Sequence, residues 1–304
     1  MRLHKEKELF EQVVLGASEW KKVPPAIIEK DYYVTLVLGE LTKRVPELIF
    51  KGGTSLSKCY KLIERFSEDI DITISSEPTN SKKQNLKKAI VEICKEYELP
   101  ILNEEKIQSR NQFNRYEIDY TPIYSLQGVK ENLYIETVLM VKAFPCVKMP
   151  ASSLVYDYLM NLGRQDIVET YALQPFEVSV QALNRTFIDK VFAVCDYYLD
   201  GRIFEHSRHL YDLYKMYPLV KFDDNFKALV KEVREARKGK GFCLSAQDGV
   251  SVPELLNKII KEDTYKSDYE EITAKLLYEE VAYAEAMTVL KNVIESETFN
   301  QIDF

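Results

Sequence analysis

The sequence predicts a mixed α/β (α+β) protein, with a small mixed-sheet lobe followed by a larger helical C-terminal lobe. Three observations lead there. Between Leu48 and Ser75 a short apolar run, a glycine turn, a helical stretch and a period-two run follow one another as a β–turn–α–β unit. Two more strand-like runs come next, Arg115 to Thr121 and Leu133 to Val141. From Ser152 onward the apolar residues keep helical spacing. At 304 residues and 46% hydrophobic content the chain can bury one elaborate core or two lobes, and the change of pattern near Pro150 divides it into 1–150 and 151–304.

Element by element, residues from Glu6 to Arg44 read as helices broken at Pro24-Pro25, with Ile27, Ile28, Tyr32, Leu36 and Leu38 on the apolar side. Leu48-Ile49-Phe50 after Pro46 reads as a buried strand. Lys51-Gly52-Gly53-Thr54-Ser55 then turns into a helix expected to end near Arg65. Asp69 to Ser75 alternates acid or hydroxyl with isoleucine, which only a strand explains. After the turn at Glu77-Pro78 a helix carries Leu86, Ile90, Ile93 and Tyr97. In the second half, helices are expected at Val155–Leu162, Arg185–Leu199, Ser207–Tyr217 and Phe226–Lys238, with a long one over Asp268–Ile294.

Charge and cysteine usage narrow the setting. The net charge of −7 makes the protein no general polyanion binder, so a nucleic-acid contact would need a local basic patch. Five cysteines with no CxxC pair, and three histidines, make neither a zinc site nor a disulfide framework, as expected of a cytoplasmic protein. The charged start and the lack of any apolar run near the roughly 18 residues of a membrane span predict neither a signal peptide nor a transmembrane segment.

The chemistry concentrates between Gly52 and Asp71. Side chains alternate along a strand, so Asp69 and Asp71 project from one face with Cα atoms about 7 Å apart, while Ile70, Ile72 and Ile74 anchor the other face. Two hard oxygen ligands on a rigid strand suit Mg²⁺. An Asp-x-Asp alone is commonplace and reads more simply as the acidic outer face of an edge strand. Upstream, Gly52-Gly53 lets the backbone approach a phosphate closely, and Thr54-Ser55 opens a helix whose free N–H groups favour anions. Together these are the parts that hold a nucleoside triphosphate and its metal. The spacing is neither that of a P-loop nor that of a dinucleotide fingerprint.

The run from Phe50 to Thr73, Phe-Lys-Gly-Gly-Thr-Ser through Ser-Glu-Asp-Ile-Asp-Ile-Thr, resembles the signature of the AbiEii/AbiGii nucleotidyltransferase toxin family, in the polymerase-β-like superfamily. Later pieces resemble the family in the same order: Glu136 in Leu133-Tyr-Ile-Glu, Lys190 in Arg185-Thr-Phe-Ile-Asp-Lys, and Asp212 in Ser207-Arg-His-Leu-Tyr-Asp. Lys30-Asp31-Tyr32 is a weaker match upstream. Asp189, where the family usually has Glu, and Cys195, where His is frequent, depart from the pattern.

The resemblance implies a nucleotidyltransferase lobe over 1–150, with the N-terminal helices, and a helical lobe over 151–304 that completes the active site. It places Gly52, Gly53, Thr54 and Ser55 against the triphosphate of an NTP substrate and the metal, Mg²⁺ or Mn²⁺, on Asp69 and Asp71. Lys190 and Asp212 would come from the helical lobe, and family order favours Glu136 as third carboxylate over Glu117 and Asp119. It implies an RNA acceptor such as tRNA, and the toxin half of a toxin–antitoxin or abortive-infection (phage-defence) pair with a cognate antitoxin. A protein or small-molecule acceptor, and a silent nucleotide-binding module, are the other readings.

Read on their own, several of these residues have plainer roles. Lys190 falls at the edge of the stripe Phe187, Val191, Val194 and Tyr198, where a surface lysine can lay its stem on apolar groups. Asp212 lies four residues after Arg208, the spacing of a surface ion pair. Glu136, Glu117 and Asp119 all alternate out of strand cores. Finally Lys227, Lys231, Arg234 and Lys238 form one helical stripe that could follow an RNA backbone, or be a solvated face balanced by Glu232 and Glu235.

Overall fold

A computed structural model of the chain describes residues 2–67, 69–126 and 131–300. Glu68, inside the signature run, lies outside the described residues. The chain divides into two compact units, Met1–Lys61 with Phe66–Val180, and Leu62–Arg65 with Gln181–Phe304.

The first unit opens with α1 (Lys7–Lys21), which buries Phe10, Val13, Val14 and Ala17 at helical spacing and stops where Lys22 turns left-handed. Pro25 starts α2 (Pro25–Arg44) at the position where its missing N–H costs nothing. β1 (Leu48–Lys51) follows and leads directly into the short α3 (Gly52–Lys58), then β2 (Asp69–Ile74) and α4 (Asn80–Glu96), whose first turn is capped by the Thr79 hydroxyl. β3 (Phe113–Ile118), β4 (Leu133–Val138) and β5 (Cys146–Ala151) precede α5 (Leu154–Asn161), α6 (Gln165–Thr170) and β6 (Phe176–Gln181). The strands form one six-stranded sheet in the order β3-β4-β2-β1-β6-β5. β1 runs antiparallel to β2 and parallel to β6, while β4 runs parallel to β2 and antiparallel to β3. Leu48, Ile49 and Phe50 are buried together, as a central strand requires.

This sheet moves the division between units past the expected boundary at Pro150, to Val180. β6 lies in the stretch from Ser152 that was read as mainly helical and pairs Val180 with Phe50, and β5 lies just before it, where no element was expected. The alternation of Phe176-Glu-Val-Ser-Val was the legible signal for β6; β5, with Pro150 and mostly exposed side chains, shows no apolar pattern.

The second unit is helical: α7 (Leu183–Leu199), α8 (Arg208–Met216), α9 (Asp224–Arg237), α10 (Val252–Glu262), α11 (Lys266–Asp268), α12 (Ala274–Leu276) and α13 (Tyr283–Glu295). α7 is buried almost all round, packing on α8, α9 and α10, and α13 closes on α8 and α10. Two expected helices are shorter than their patterns. α3 ends at Lys58 instead of near Arg65, because the backbone of Glu64 is bonded elsewhere: its N–H donates to the Tyr211 hydroxyl at 2.9 Å and its carbonyl accepts from Tyr278 N–H at 2.7 Å. The same partners interrupt the expected helix Asp268–Ile294, which passes through a π-helical turn at Tyr269–Thr273 and α12, breaks over 277–282 and resumes at α13. There Leu277 bridges to Arg65.

Candidate active site

In the first unit, strand pairing gathers carboxylates on one sheet face. Asp71 stands opposite Glu136 of β4, and Asp69 opposite Tyr134, so Asp69, Asp71 and Glu136 share that face while Ile70 and Ile72 fill the core behind. Burial, and then the charges of Asp71 and Asp69, push the Glu136 carboxyl up to about 7 against the opposing pull of Arg115 and Lys51. Asp69 Oδ1 is buried without a hydrogen-bond partner. Gly52 abuts the same cluster. Its φ is +76°, and a Cβ there would clash with Asp71 Oδ2 and sit 2.8 Å from Asp71 Cγ. Glycine is thus the residue that lets the turn close against the acid strand.

The other two candidates for third carboxylate are committed elsewhere. Glu117 stands one strand further out and accepts from Asn132 at 2.7 Å, and Asp119 accepts from Thr121 N–H at 2.6 Å. Spacing had left the choice open because it cannot show which strands are neighbours. Thr54 and Ser55 turn their hydroxyls inward. Both side chains are buried, Thr54 against the Ser67 hydroxyl at 2.9 Å and Ser55 donating to the Gly52 carbonyl at 2.8 Å. They brace the turn, and the part of the motif left accessible is Gly52-Gly53 itself. Sequence reasoning missed Arg115, which faces Glu136 across β3 and β4 at 3.5 Å and lies over the Tyr134 ring. Only the pairing of β3 with β4 reveals it.

α3 is held by an ion pair. Lys58, almost fully buried, donates to Asp31 Oδ1 and Thr35 Oγ1, each at 2.6 Å, and Asp31 Oδ2 accepts from Leu154 N–H at 2.7 Å. This gives a physical task to the Lys30-Asp31-Tyr32 stretch.

The residues fit a hard divalent ion through their oxygen donors, the orphaned Asp69 Oδ1 and the mutual repulsion that a cation would relieve. Among the described residues no three His, Cys, Asp or Glu side chains are drawn together into a ready-made cage. Asp69, with its unpartnered oxygen, and Asp71 would hold such an ion.

The second unit carries a separate cluster. Lys190 Nζ donates to Asp212 Oδ2 at 2.6 Å, and Arg65 grips the same carboxylate with two bonds, Nε to Oδ1 at 2.6 Å and Nη2 to Oδ2 at 2.7 Å. Asp212 is fully buried, Arg65 is 3% exposed and Lys190 6%. Burial would raise the Asp212 carboxyl, but Arg65 and Lys190 hold it well below the usual carboxylate range. Burial lowers Lys190, an effect that Asp212 opposes. Neither the surface lysine nor the i,i+4 surface pair with Arg208 describes these residues: both side chains point inward, on helix faces that α7 and α8 bury. Arg65 had no assigned part, since its partner is 147 residues away.

The stripe on α9 is divided. Arg234 donates to the carbonyls of Gln247 at 3.0 Å and Val250 at 2.8 Å, fastening the 244–250 loop, and Lys238 lies past the helix end, paired with Asp248 at 2.6 Å. Lys227 and Lys231 remain on the outer side of the helix.

A mixed sheet with a glycine turn packed against strand-borne carboxylates defines the class, that of the nucleotidyltransferases. Residues 40–292 match the family described as Nucleotidyl transferase AbiEii toxin, Type IV TA system, and the chain belongs to that family. It is a nucleotidyltransferase toxin of a toxin–antitoxin system. Among solved structures it is similar to MenT4, a nucleotidyltransferase toxin from Mycobacterium tuberculosis, with 16% identity, 92% of this chain and 85% of that one covered, and a TM-score of 0.50. JHP933 from Helicobacter pylori also matches, at 19% identity, 87% and 88% coverage and a TM-score of 0.40. At such identity the likeness to MenT4 is one of fold. No curated protein matches the chain. Among the described residues no helix is long and apolar enough to cross a membrane.

Proposed function

We propose that the chain transfers a nucleoside monophosphate from an NTP to a hydroxyl of an RNA such as tRNA, with Mg²⁺ or Mn²⁺ as the ion. The hydroxyl oxygen bonds to the α-phosphorus, the bond to the β-phosphate oxygen breaks, and pyrophosphate leaves. The observation that carries this reading is the shared face of Asp69, Asp71 and Glu136 against which Gly52 closes. A divalent ion bound to Asp69 and Asp71 would supply charge neutralisation for the triphosphate. Glu136 is the third carboxylate of that face, and the Gly52-Gly53 turn that closes against Asp71 is our candidate contact for the phosphates.

From the family resemblance, Lys190 neutralises charge on the phosphates and Asp212 orients it; the buried ion pair supports the orienting half. Lys227 and Lys231 are kept as an RNA contact, and Arg234 and Lys238 are assigned to folding. The setting we propose is cytoplasmic, in abortive infection and phage defence.

The double substitution Asp69→Ala and Asp71→Ala tests the reading. Transfer of labelled nucleotide to bacterial RNA is expected to fall by about a thousandfold, with circular dichroism unchanged. Transfer at the wild-type rate would remove the carboxylate face from the chemistry. A wild-type protein that labels purified protein and leaves RNA unlabelled would redirect the acceptor.

A further inference from the structure

The carboxylate face of the first unit continues past Glu136 onto β3. Strand register sets four charged residues in one row across the sheet: Lys51 opposite Asp71, Asp71 opposite Glu136, and Glu136 opposite Arg115. Neighbouring strands lie about 5 Å apart, so Arg115 stands two strands, about 10 Å, from Asp71. It is on the side away from β1 and the glycine turn that follows β1. All of these residues belong to the same unit.

Arg115 is held in place while its donors stay unused. Asn103 fastens the strand around it, Nδ2 donating to the Arg115 carbonyl at 2.9 Å and Oδ1 accepting from Glu117 N–H at 3.0 Å. The guanidinium lies over the Tyr134 ring, 4.1 Å from its centre. Towards Glu136 it comes only to 3.5 Å, and the side chain is 40% exposed. Its Nε has no hydrogen-bond partner, and among the described residues the guanidinium as a whole donates none. Five N–H donors in a planar fork are thus open to an anion, and the fork matches a phosphate. Phe113, two residues earlier and so on the same strand face, is 43% exposed. Glu117, the third residue of that face, is taken up by Asn132.

We propose that this face of β3 binds the RNA acceptor strand, with Arg115 taking a backbone phosphate near the reacting hydroxyl and Phe113 offering its ring to a base. This rests on the RNA-acceptor reading given under Proposed function. Phosphoryl transfer keeps the attacking and leaving oxygens roughly in line through the phosphorus. With the triphosphate on the glycine turn, the pyrophosphate leaves on the β1 side of the acid pair. The acceptor then comes from the β4 and β3 side, where Arg115 stands. Because Arg115 makes no hydrogen bond to Glu136, none has to be broken when a phosphate takes the guanidinium. An arginine beside an exposed aromatic ring is also the pairing that holds single-stranded nucleic acid, by charge and by stacking.

The test measures binding of labelled total bacterial tRNA without NTP, over a range of salt, and transfer from α-labelled NTPs with RNA and NTP varied separately. It uses the full chain as wild type, Arg115→Gln, Arg115→Lys and Phe113→Ser. Arg115→Gln is expected to weaken tRNA binding by about tenfold and to reduce the slope of log affinity against log salt by about one. Its KM for RNA should rise by about as much, with KM for NTP within about twofold. Arg115→Lys should keep the slope and lose about threefold in affinity, since the charge stays and the fork is lost. Phe113→Ser should lose about tenfold with the slope unchanged, as stacking carries no charge. Unchanged tRNA affinity and KM for RNA in Arg115→Gln would confine Arg115 to the sheet and Glu136 and overturn the proposal. A raised KM for NTP with unchanged tRNA affinity would place Arg115 on the nucleotide and overturn it as well. Should Arg115→Gln fail to fold, wild-type tRNA affinity in both Arg115→Lys and Phe113→Ser overturns it. A wild-type chain that neither binds nor labels RNA would overturn the reading on which it rests, and the proposal with it.

Discussion

Gly52 is the residue where backbone and chemistry are most tightly coupled. Its positive φ is one that side-chain-bearing residues adopt at a cost of about 1–2 kcal/mol, and the space its Cβ would need is filled by Asp71. Gly52→Ala is therefore expected to lose about 1–2 kcal/mol of stability and about a hundredfold in transfer, read by thermal melting and by kcat/KM. Normal activity in a folded Gly52→Ala protein would mean that Asp71 can move without consequence. That Asp69 and Asp71 share a face was legible from alternation, since a period of two leaves no freedom there, while their candidacy as a site needed the Gly52-Gly53 turn upstream. Lys190 and Asp212 were recognisable only as members of a pattern. Their own neighbours in sequence suggested surface positions, because helical spacing describes a helix face but not what packs on it.

At the scale of elements, α3 illustrates how a short helix is positioned. Seven residues cannot hold a helix by themselves, and the buried Lys58–Asp31 pair fixes it to α2, with Asp31 also capping the start of α5. Removing one partner leaves a buried ammonium without its counter-ion. Asp31→Ala is expected to cost about 3 kcal/mol in urea unfolding and to lower transfer. Combining Lys58→Met with Asp31→Asn, which keeps an acceptor for Leu154 N–H, should recover most of that stability. If Asp31→Ala is as stable as wild type, the pair does not anchor the helix. The starts of α2 and α4 were readable from Pro25 and Thr79. The end of α3 was not, because Glu64 exchanges helical hydrogen bonds for partners more than a hundred residues away.

For the molecule as a whole, acid sensitivity is built into both units. His4 in the first unit is lowered to about 4 by burial and then by Lys5 and Arg2; His206 in the second is lowered to about 4 by burial and then by Arg208 and Arg202, while stacked 3.5 Å from the Tyr197 ring. The unfolded chain takes up these protons as pH falls below about 6.5 and the folded chain resists until about 4, so both groups lower stability progressively through that window. Glu136, pushed up to about 7, acts in the opposite sense over the same window, so His4→Gln with His206→Gln should raise melting temperature at pH 4.5 relative to pH 7; an unaltered pH dependence would assign the sensitivity to other groups.

The sequence by itself determined the α+β class, the β–turn–α–β unit and the acid pair, because these follow from periods of two and 3.6 and from glycine, all local properties. Tertiary structure decided the rest: β6 beside β1, Glu136 opposite Asp71, and Arg65 joined to Asp212. Those depend on which segments become neighbours after the chain returns from a distance, and local periodicity carries no information about that return.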